Sequence, residues 1–325
     1  MSFLVRLPEE TYRSDALARF TANPDFTLGN AQAMMWLAQL AYETDDPEKI
    51  KRILTRFGLE LLEFGTNELI PGLLRRKACF IVASRHDATF VAFAGTDPLN
   101  LQDVITDLSA TVTREGFHKG FAEAAGAVQS KVEGAIRRGG AGKPLFFTGH
   151  SLGGALAIIS AMRARNARLQ ITAVYTFGGA RAGDQRLFDS YGPDLRSCTF
   201  RLVHGRDIVA SVPPSLGDGF VSRLIGGLLG GLRGSFRHVG RLLHCPTGLK
   251  FAESAPDAND GNDPDDFLGA GISAALTIAR QMPSPEILQE LNPRLLDDPD
   301  NHLPKEVRDH VPASYFRALN MPLFP

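Results

Sequence analysis

The stretch Thr148-Gly149-His150-Ser151-Leu152-Gly153-Gly154-Ala155 decides the fold of this chain. It lies between an apolar segment at residues 145–147 and a helix-forming apolar run at residues 155–165. Residues 149–153 match the pattern G-x-S-x-G, in which a sharp turn from a strand into a helix projects a serine hydroxyl above a sheet. Glycine is needed on both sides of the serine because a side chain there would collide with the neighbouring strand or helix. We therefore predict a strand-turn-helix unit with Ser151 at its turn.

Strands and helices alternate on both sides of this unit. Apolar runs at residues 78–83 and 89–94 predict a β-hairpin, and an apolar face repeated at helical spacing predicts a long helix over residues 119–138. After the turn, strands are predicted at residues 171–177 and 198–204, with a helix near residues 185–191 between them. This alternation favours an α/β fold with a mainly parallel central sheet and helices on both of its faces.

The composition excludes several classes of protein. The chain has 325 residues, of which 44% are hydrophobic and 22% charged, as in soluble globular proteins. Its 35 basic and 36 acidic residues leave no basic excess for nucleic-acid binding, and no uncharged run is long enough for a transmembrane anchor. The first residues lack the apolar segment of a Sec-type signal peptide, so we expect a cytoplasmic location, with export by a route other than Sec left open.

A serine hydroxyl is a poor nucleophile, so it requires a base and a carboxylate that orients the base. In this type of fold the chain order is serine, carboxylate, histidine. Asp207 is predicted as the carboxylate because it follows the strand at residues 198–204, whereas Asp184 is interpreted as a helix cap. The candidates for the base that follow Asp207 are His238 with His244, then His302, then His310. Their positions alone leave His238 and His310 both open.

Several segments together resemble one known family. Residues 148–157 are similar to its signature around the nucleophile, and Val91-Ala92-Phe93-Ala94-Gly95-Thr96 is similar to its strand before the oxyanion loop. Residues 103–108 resemble its lid helix, and Asp207-Ile208-Val209 resembles its segment with the catalytic acid. Asp309-His310 followed by Tyr315-Phe316 resembles its terminal segment with the base. The family is that of the class 3 lipases, the fungal-lipase-like serine esterases of the α/β-hydrolase fold.

The resemblance implies a catalytic site without a cofactor or a metal. Ser151 would be the nucleophile and Asp207 the acid, and His310 becomes the expected base, with His238 as the runner-up. The backbone N–H of Leu152 is expected to bind the oxyanion, since it lies at a helix N-terminus. The resemblance adds Thr96 as the second donor, through its backbone and its hydroxyl.

The expected protein is one α/β-hydrolase domain over residues 1–325. A lid is expected at residues 97–113, and an irregular insert, first glycine-rich and then acidic, at residues 215–266. Its expected function is hydrolysis of lipid esters, as a triacylglycerol lipase that forms an acyl-enzyme at a lipid–water interface. The alternatives are a short-chain or aryl carboxylesterase, a phospholipase A1 and an inactive binding protein with the same fold.

Overall fold

The computed structural model describes residues 5–66, 78–95, 111–139, 142–213, 236–254, 304–321 and 323. Seven strands form one sheet in the order β1-β2-β3-β4-β5-β7-β9. Their bounds are β1 Glu60–Thr66, β2 Cys79–Ser84, β3 Thr89–Phe93, β4 Leu145–His150, β5 Ala173–Phe177, β7 Thr199–His204 and β9 Arg241–Cys245. Two short strands, β6 Gly183–Asp184 and β8 Phe236–Arg237, pair separately.

The large sheet is antiparallel on one side and parallel on the other. Strands β1, β2 and β3 pair antiparallel, which confirms the predicted hairpin, and β3, β4, β5, β7 and β9 are all parallel. Because parallel strands end at the same edge of a sheet, the loops after β4, β7 and β9 lie together. The mainly parallel sheet was predicted, whereas β1 and β9 were not. Both are edge strands with half-exposed residues, so neither shows a continuous apolar run.

Helices cover both faces of this sheet, as predicted. The helices are α1 Leu28–Leu40, α2 Pro47–Arg56, α3 Lys119–Arg138, α4 Leu152–Asn166, α5 Gln185–Ser197, α6 Lys305–Arg308 and α7 Pro312–Ala318. Residues of α3, α4 and α5 form one apolar cluster, and residues of α1, α2 and α7 form another. Alternate residues of β2 belong to different clusters, since successive side chains of a strand point to opposite faces. Helix α3 has the predicted bounds.

Several predictions concern residues outside the described part of the chain. Thr96, most of the lid at residues 97–113, the glycine-rich residues 215–235, the acidic residues 255–266 and His302 belong to this group. The single domain over residues 1–325 stays a prediction. Among the described helices, none combines the length and the apolar character that crossing a bilayer requires.

Candidate active site

The turn between β4 and α4 carries Ser151 in a strained backbone conformation. Its φ is 60° and its ψ is −132°, a backbone conformation that residues other than glycine rarely adopt. A Cβ atom on Gly149 would lie 2.1 Å from the carbonyl oxygen of Gly153, and one on Gly153 would lie 2.3 Å from that of Phe93. The helix therefore crosses the ends of β3 and β4 too closely for any side chain at these two positions. This is the local geometry that the motif predicts.

Ser151, His310 and Asp207 form a continuous hydrogen-bonded chain. The Oγ of Ser151 lies 2.9 Å from Nε2 of His310, and Nδ1 of His310 lies 2.9 Å from both carboxylate oxygens of Asp207. A carboxylate only accepts, so Nδ1 carries the proton and Nε2 presents a lone pair to the serine hydroxyl. All three residues are buried. Ser151 and His310 are 159 positions apart in the chain, so the tertiary fold alone brings them together.

Two further donors hold the carboxylate of Asp207. The hydroxyl of Tyr315 donates to Oδ2 at 2.6 Å, and the backbone N–H of Val209 donates to Oδ1 at 2.8 Å. Burial acts to raise the pKa of Asp207, but the electrostatic interaction with the His310 imidazole and the hydrogen bonds from His310 and Tyr315 outweigh it and lower the pKa. The carboxylate is therefore ionised beside the imidazole. The sequence interpretation assigned no role to Tyr315; its signal was its place on the helix that directly follows His310.

His150 holds the backbone of His310. Its Nε2 lies 2.8 Å from the carbonyl oxygen of His310, and its Nδ1 lies 2.8 Å from the hydroxyl of Tyr42. Because a carbonyl only accepts, Nε2–H donates to it, and Nδ1 accepts a hydrogen bond from the hydroxyl of Tyr42. Burial, together with the electrostatic interaction with the His310 imidazole, lowers the pKa of His150 to about 3, so the His150 ring is neutral. The sequence interpretation assigned no catalytic role to His150 and missed this bond.

The runner-up base has a different partner. Nε2 of His238 lies 2.7 Å from the carbonyl oxygen of Ala210, in the loop after Asp207. Burial, and then the positive charges of Arg201 and Arg181, lower the pKa of His238 well below its ordinary value. The structure thus places the ring of His310, and not that of His238, against Ser151.

Asp184, which the sequence interpretation assigned as a helix cap and not as the catalytic carboxylate, has a different partner from Asp207. Oδ1 of Asp184 accepts the N–H of Arg186 at the start of α5, as a helix cap does.

One predicted oxyanion donor lies in the described chain. Leu152 is the first residue of α4, where the helix's own hydrogen bonds leave N–H groups free for an anion. Thr96 lies outside the described residues, but Gly95 directly before it touches the nucleophile. A Cβ atom on Gly95 would lie 2.6 Å from Cβ of Ser151 and 2.7 Å from the hydroxyl oxygen of Tyr42.

The sequence matches one family model, and it is similar to an acylglycerol lipase and to a phospholipase A1. Residues 90–217 match the family model described as lipase (class 3). The chain is 33% identical over 102 residues to the secreted mono- and diacylglycerol lipase 1 of Fusarium solani, which covers 30% of each protein. It is 35% identical over 104 residues to the chloroplastic phospholipase A1-Igamma1 of Arabidopsis thaliana, covering 30% of this chain and 20% of that protein. The chain thus spans less than a third of these curated relatives.

Solved structures share the fold over a longer range. Lipase II from Rhizopus niveus has a TM-score of 0.53 and 19% identity, over 74% of this chain and 91% of that one. The lipase from Rhizopus microsporus var. chinensis has a TM-score of 0.51 and 20% identity, over 68% of this chain and 76% of that one. Together with the parallel sheet and its helices, these matches confirm the predicted α/β-hydrolase fold.

The expected cytoplasmic location is wrong. The Fusarium solani relative is named as a secreted enzyme. The expectation rested on the lack of an apolar segment in the first residues, and that lack does not specify a compartment.

Proposed function

Because residues 90–217 match the class 3 lipase family model, we propose that the chain is a serine hydrolase of carboxylic esters and that its substrates are lipid esters, with acylglycerols as the first candidate. The single observation that carries this proposal is the hydrogen-bonded chain from Ser151 through His310 to Asp207. Nucleophile, base and carboxylate stand in the order and at the distances that acyl transfer requires.

The proposed reaction has two halves. The Oγ of Ser151 attacks the ester carbonyl carbon while Nε2 of His310 takes the hydroxyl proton, and Asp207 stabilises the imidazolium. The tetrahedral intermediate collapses, the proton passes to the leaving alkoxide, and an alcohol departs from the acyl-enzyme. Water then attacks the acyl-enzyme with His310 again as the base, which releases a carboxylic acid and restores Ser151.

The oxyanion of both intermediates needs donors. We assign this role to the N–H of Leu152 and to the backbone and hydroxyl of Thr96. Each donor of this kind contributes typically about 3–4 kcal/mol to the transition state. Support for Leu152 comes from its place at the start of α4, and support for Thr96 comes from the contact of Gly95 with Ser151.

Residues 97–113 are proposed as a lid, because they are rich in leucine, valine and isoleucine and follow directly on Thr96. A single domain over residues 1–325 is part of the same proposal. Helices from both the first and the last described segments pack on one face of the central sheet.

Labelling with a fluorophosphonate probe tests the nucleophile directly. We expect the wild-type protein and a Ser190→Ala control to be labelled, and Ser151→Ala to remain unlabelled and inactive on acylglycerols. Ser190 is a suitable control because its hydroxyl bonds only to backbone carbonyls of its own helix among the described contacts. A wild-type protein that behaves like Ser151→Ala would leave an inactive binding protein as the interpretation.

A second candidate substrate class is favoured by one comparison. The Arabidopsis thaliana relative is named a phospholipase A1, and it is as similar to this chain as the acylglycerol lipase. A panel of mono-, di- and triacylglycerols, diacyl phospholipids and short-chain esters separates the two. Release of the fatty acid from the first position of phospholipids, at a higher kcat/KM than from acylglycerols, would replace the first assignment by the second.

A further inference from the structure

An exposed apolar side chain stands at the tip of the turn after β9. Leu249 is 60% exposed and is the one large apolar side chain on the surface of the described residues. Its N–H donates to the carbonyl of Pro246, which closes the turn at 3.0 Å. Gly248 has a φ of +84°, and a Cβ atom built on it would meet none of the described residues within 4 Å. The leucine at the tip therefore presents most of its apolar surface to water.

A cleft with a positive lining lies beside this leucine. Its volume is about 290 Å³, and its cationic lining residues are Lys250, Lys305, Arg308 and Arg317. The one carboxylate in the lining is that of Asp309, which is 3% exposed. It accepts hydrogen bonds of 2.8 Å from the N–H of Arg206 and from the hydroxyl of Thr247. The lining thus carries four cationic side chains and one carboxylate, and that carboxylate is buried and hydrogen-bonded.

The leucine and the cleft lie at the same edge of the sheet as the nucleophile. Ser151 follows β4, and the turn of Leu249 follows β9, while β4, β5, β7 and β9 run parallel. Three strand spacings of about 4.8 Å separate β4 from β9. Asp309 of the cleft directly precedes His310 in the chain. A flat surface that contacted Leu249 would therefore face the edge of the protein at which the substrate must enter.

We propose that Leu249 and the cleft of Lys250, Lys305, Arg308 and Arg317 form a docking patch for an anionic lipid surface. The leucine side chain inserts among the acyl chains, and the cleft binds phosphate groups of the lipid head groups. Cations at this position are attracted to anionic head groups, and salt weakens the attraction. The volume of the cleft is sufficient for a phosphate group with part of its ester-linked alcohol. The docking patch would bring the active site of the proposed function to its lipid substrate. The purpose of the patch rests on that proposed function, whereas its binding to anionic lipid does not.

Vesicle binding tests the docking patch. We expect co-sedimentation with equimolar phosphatidylcholine and phosphatidylglycerol to be about tenfold stronger than with phosphatidylcholine alone, and to weaken as salt is added. The double variant Lys250→Glu with Lys305→Glu should lose this preference, and Leu249→Asp should reduce binding to both kinds of vesicle. The matched control is Arg137→Glu with Arg168→Glu, two exposed residues before β4 and β5, at the opposite edge of the sheet. It makes the same change in net charge and should bind like the wild type.

Two enzymatic readouts separate docking from chemistry. Hydrolysis of a monomeric water-soluble ester should be the same in the patch variants and the wild type, because none of these side chains touches Ser151, His310 or Asp207 in the described contacts. Hydrolysis of esters in anionic vesicles should fall together with binding. Loss of soluble-ester hydrolysis would mean that the variants disturb the site itself, and would overturn the assignment of the patch to docking alone.

Other outcomes would also overturn the proposal. One is equal binding by the wild type and the patch variants, and another is an equal loss in the control variant. A third is a rise in unfolding temperature with inorganic phosphate, at constant ionic strength, without any vesicle binding, which would indicate a small-anion site. Vesicle binding that depends on the patch, in a protein that no fluorophosphonate labels, would refute the proposed function and leave the docking patch standing.

Discussion

The hydrogen bond from His150 to the backbone of His310 gives a sharp prediction about catalysis. The ring of His310 is held by Asp207, and its carbonyl oxygen is held by Nε2–H of His150 at 2.8 Å. The two imidazoles also lie face to face, with ring centroids 4.7 Å apart. His150→Leu keeps the side-chain volume close to that of histidine but removes the donor. His150→Gln keeps an N–H that can reach the same carbonyl and an oxygen that can accept from Tyr42.

The size of the effect follows from the lost bond. A buried carbonyl left without its donor costs about 1–3 kcal/mol. If this cost falls on the arrangement of His310 in the transition state, kcat of His150→Leu decreases about 5- to 150-fold. KM should remain unchanged because His150 is buried and has no surface for the substrate. His150→Gln should recover most of the lost kcat.

The assay is steady-state hydrolysis of a monomeric ester, with the rate of fluorophosphonate labelling as an independent measure of Ser151 activation. Both rates should decrease together in His150→Leu, while the urea unfolding transition shows that the variant is folded. Unchanged rates in a folded His150→Leu protein would refute the reasoning. Equal rates in the leucine and glutamine variants would show that packing, and not the donated hydrogen bond, is what His150 contributes.

Three further predictions concern the same region. Tyr315→Phe removes a donor from Asp207, so we expect about a 5-fold or greater loss of kcat in esterase kinetics, and a full-rate variant would contradict it. The pKa of His150 is about 3 in the folded protein instead of 6.5. The free energy of unfolding should therefore decrease as the pH falls from 6.5 to 3, by up to about 1.4 kcal/mol per pH unit. Urea unfolding of His150→Leu should lack this contribution. Gly153→Ala should destabilise the protein by about 1–3 kcal/mol. Gly134→Ala, whose added Cβ would meet only Arg138 among the described residues, at 3.6 Å, should stabilise α3 by about 1 kcal/mol in the same measurement.

Asp207 also contributes to the decrease in the free energy of unfolding at acidic pH. Its pKa is lowered in the folded protein, so its contribution to stability is complete above the ordinary value of 3.8 and is lost as the pH falls below it. Between pH 6.5 and about 4, His150 and His238 therefore reduce the free energy of unfolding as the pH falls, whereas this carboxylate does not.

The sequence predicted those elements whose apolar residues repeat locally. The helix over residues 119–138 and the hairpin of β2 and β3 have strong periodic patterns, and both were found. The edge strands β1 and β9 were missed because an edge strand buries only part of its side chains and alternates weakly. The role of Asp184 was predictable since a helix cap depends on the next two residues alone.

The sequence by itself determined the turn at Ser151, because the clashes that exclude side chains at Gly149 and Gly153 arise within a few residues of chain and with the neighbouring strand. It also placed Asp207 shortly after a strand, which the structure shows to be β7. Position in the sequence left His238 and His310 open, and only the tertiary structure set one ring against Ser151 and the other against Ala210. Tyr42, His150 and Tyr315 acquired their partners in the same way. Hydrogen bonds between residues more than 100 positions apart depend on the order of strands in the sheet, and no local pattern specifies that order.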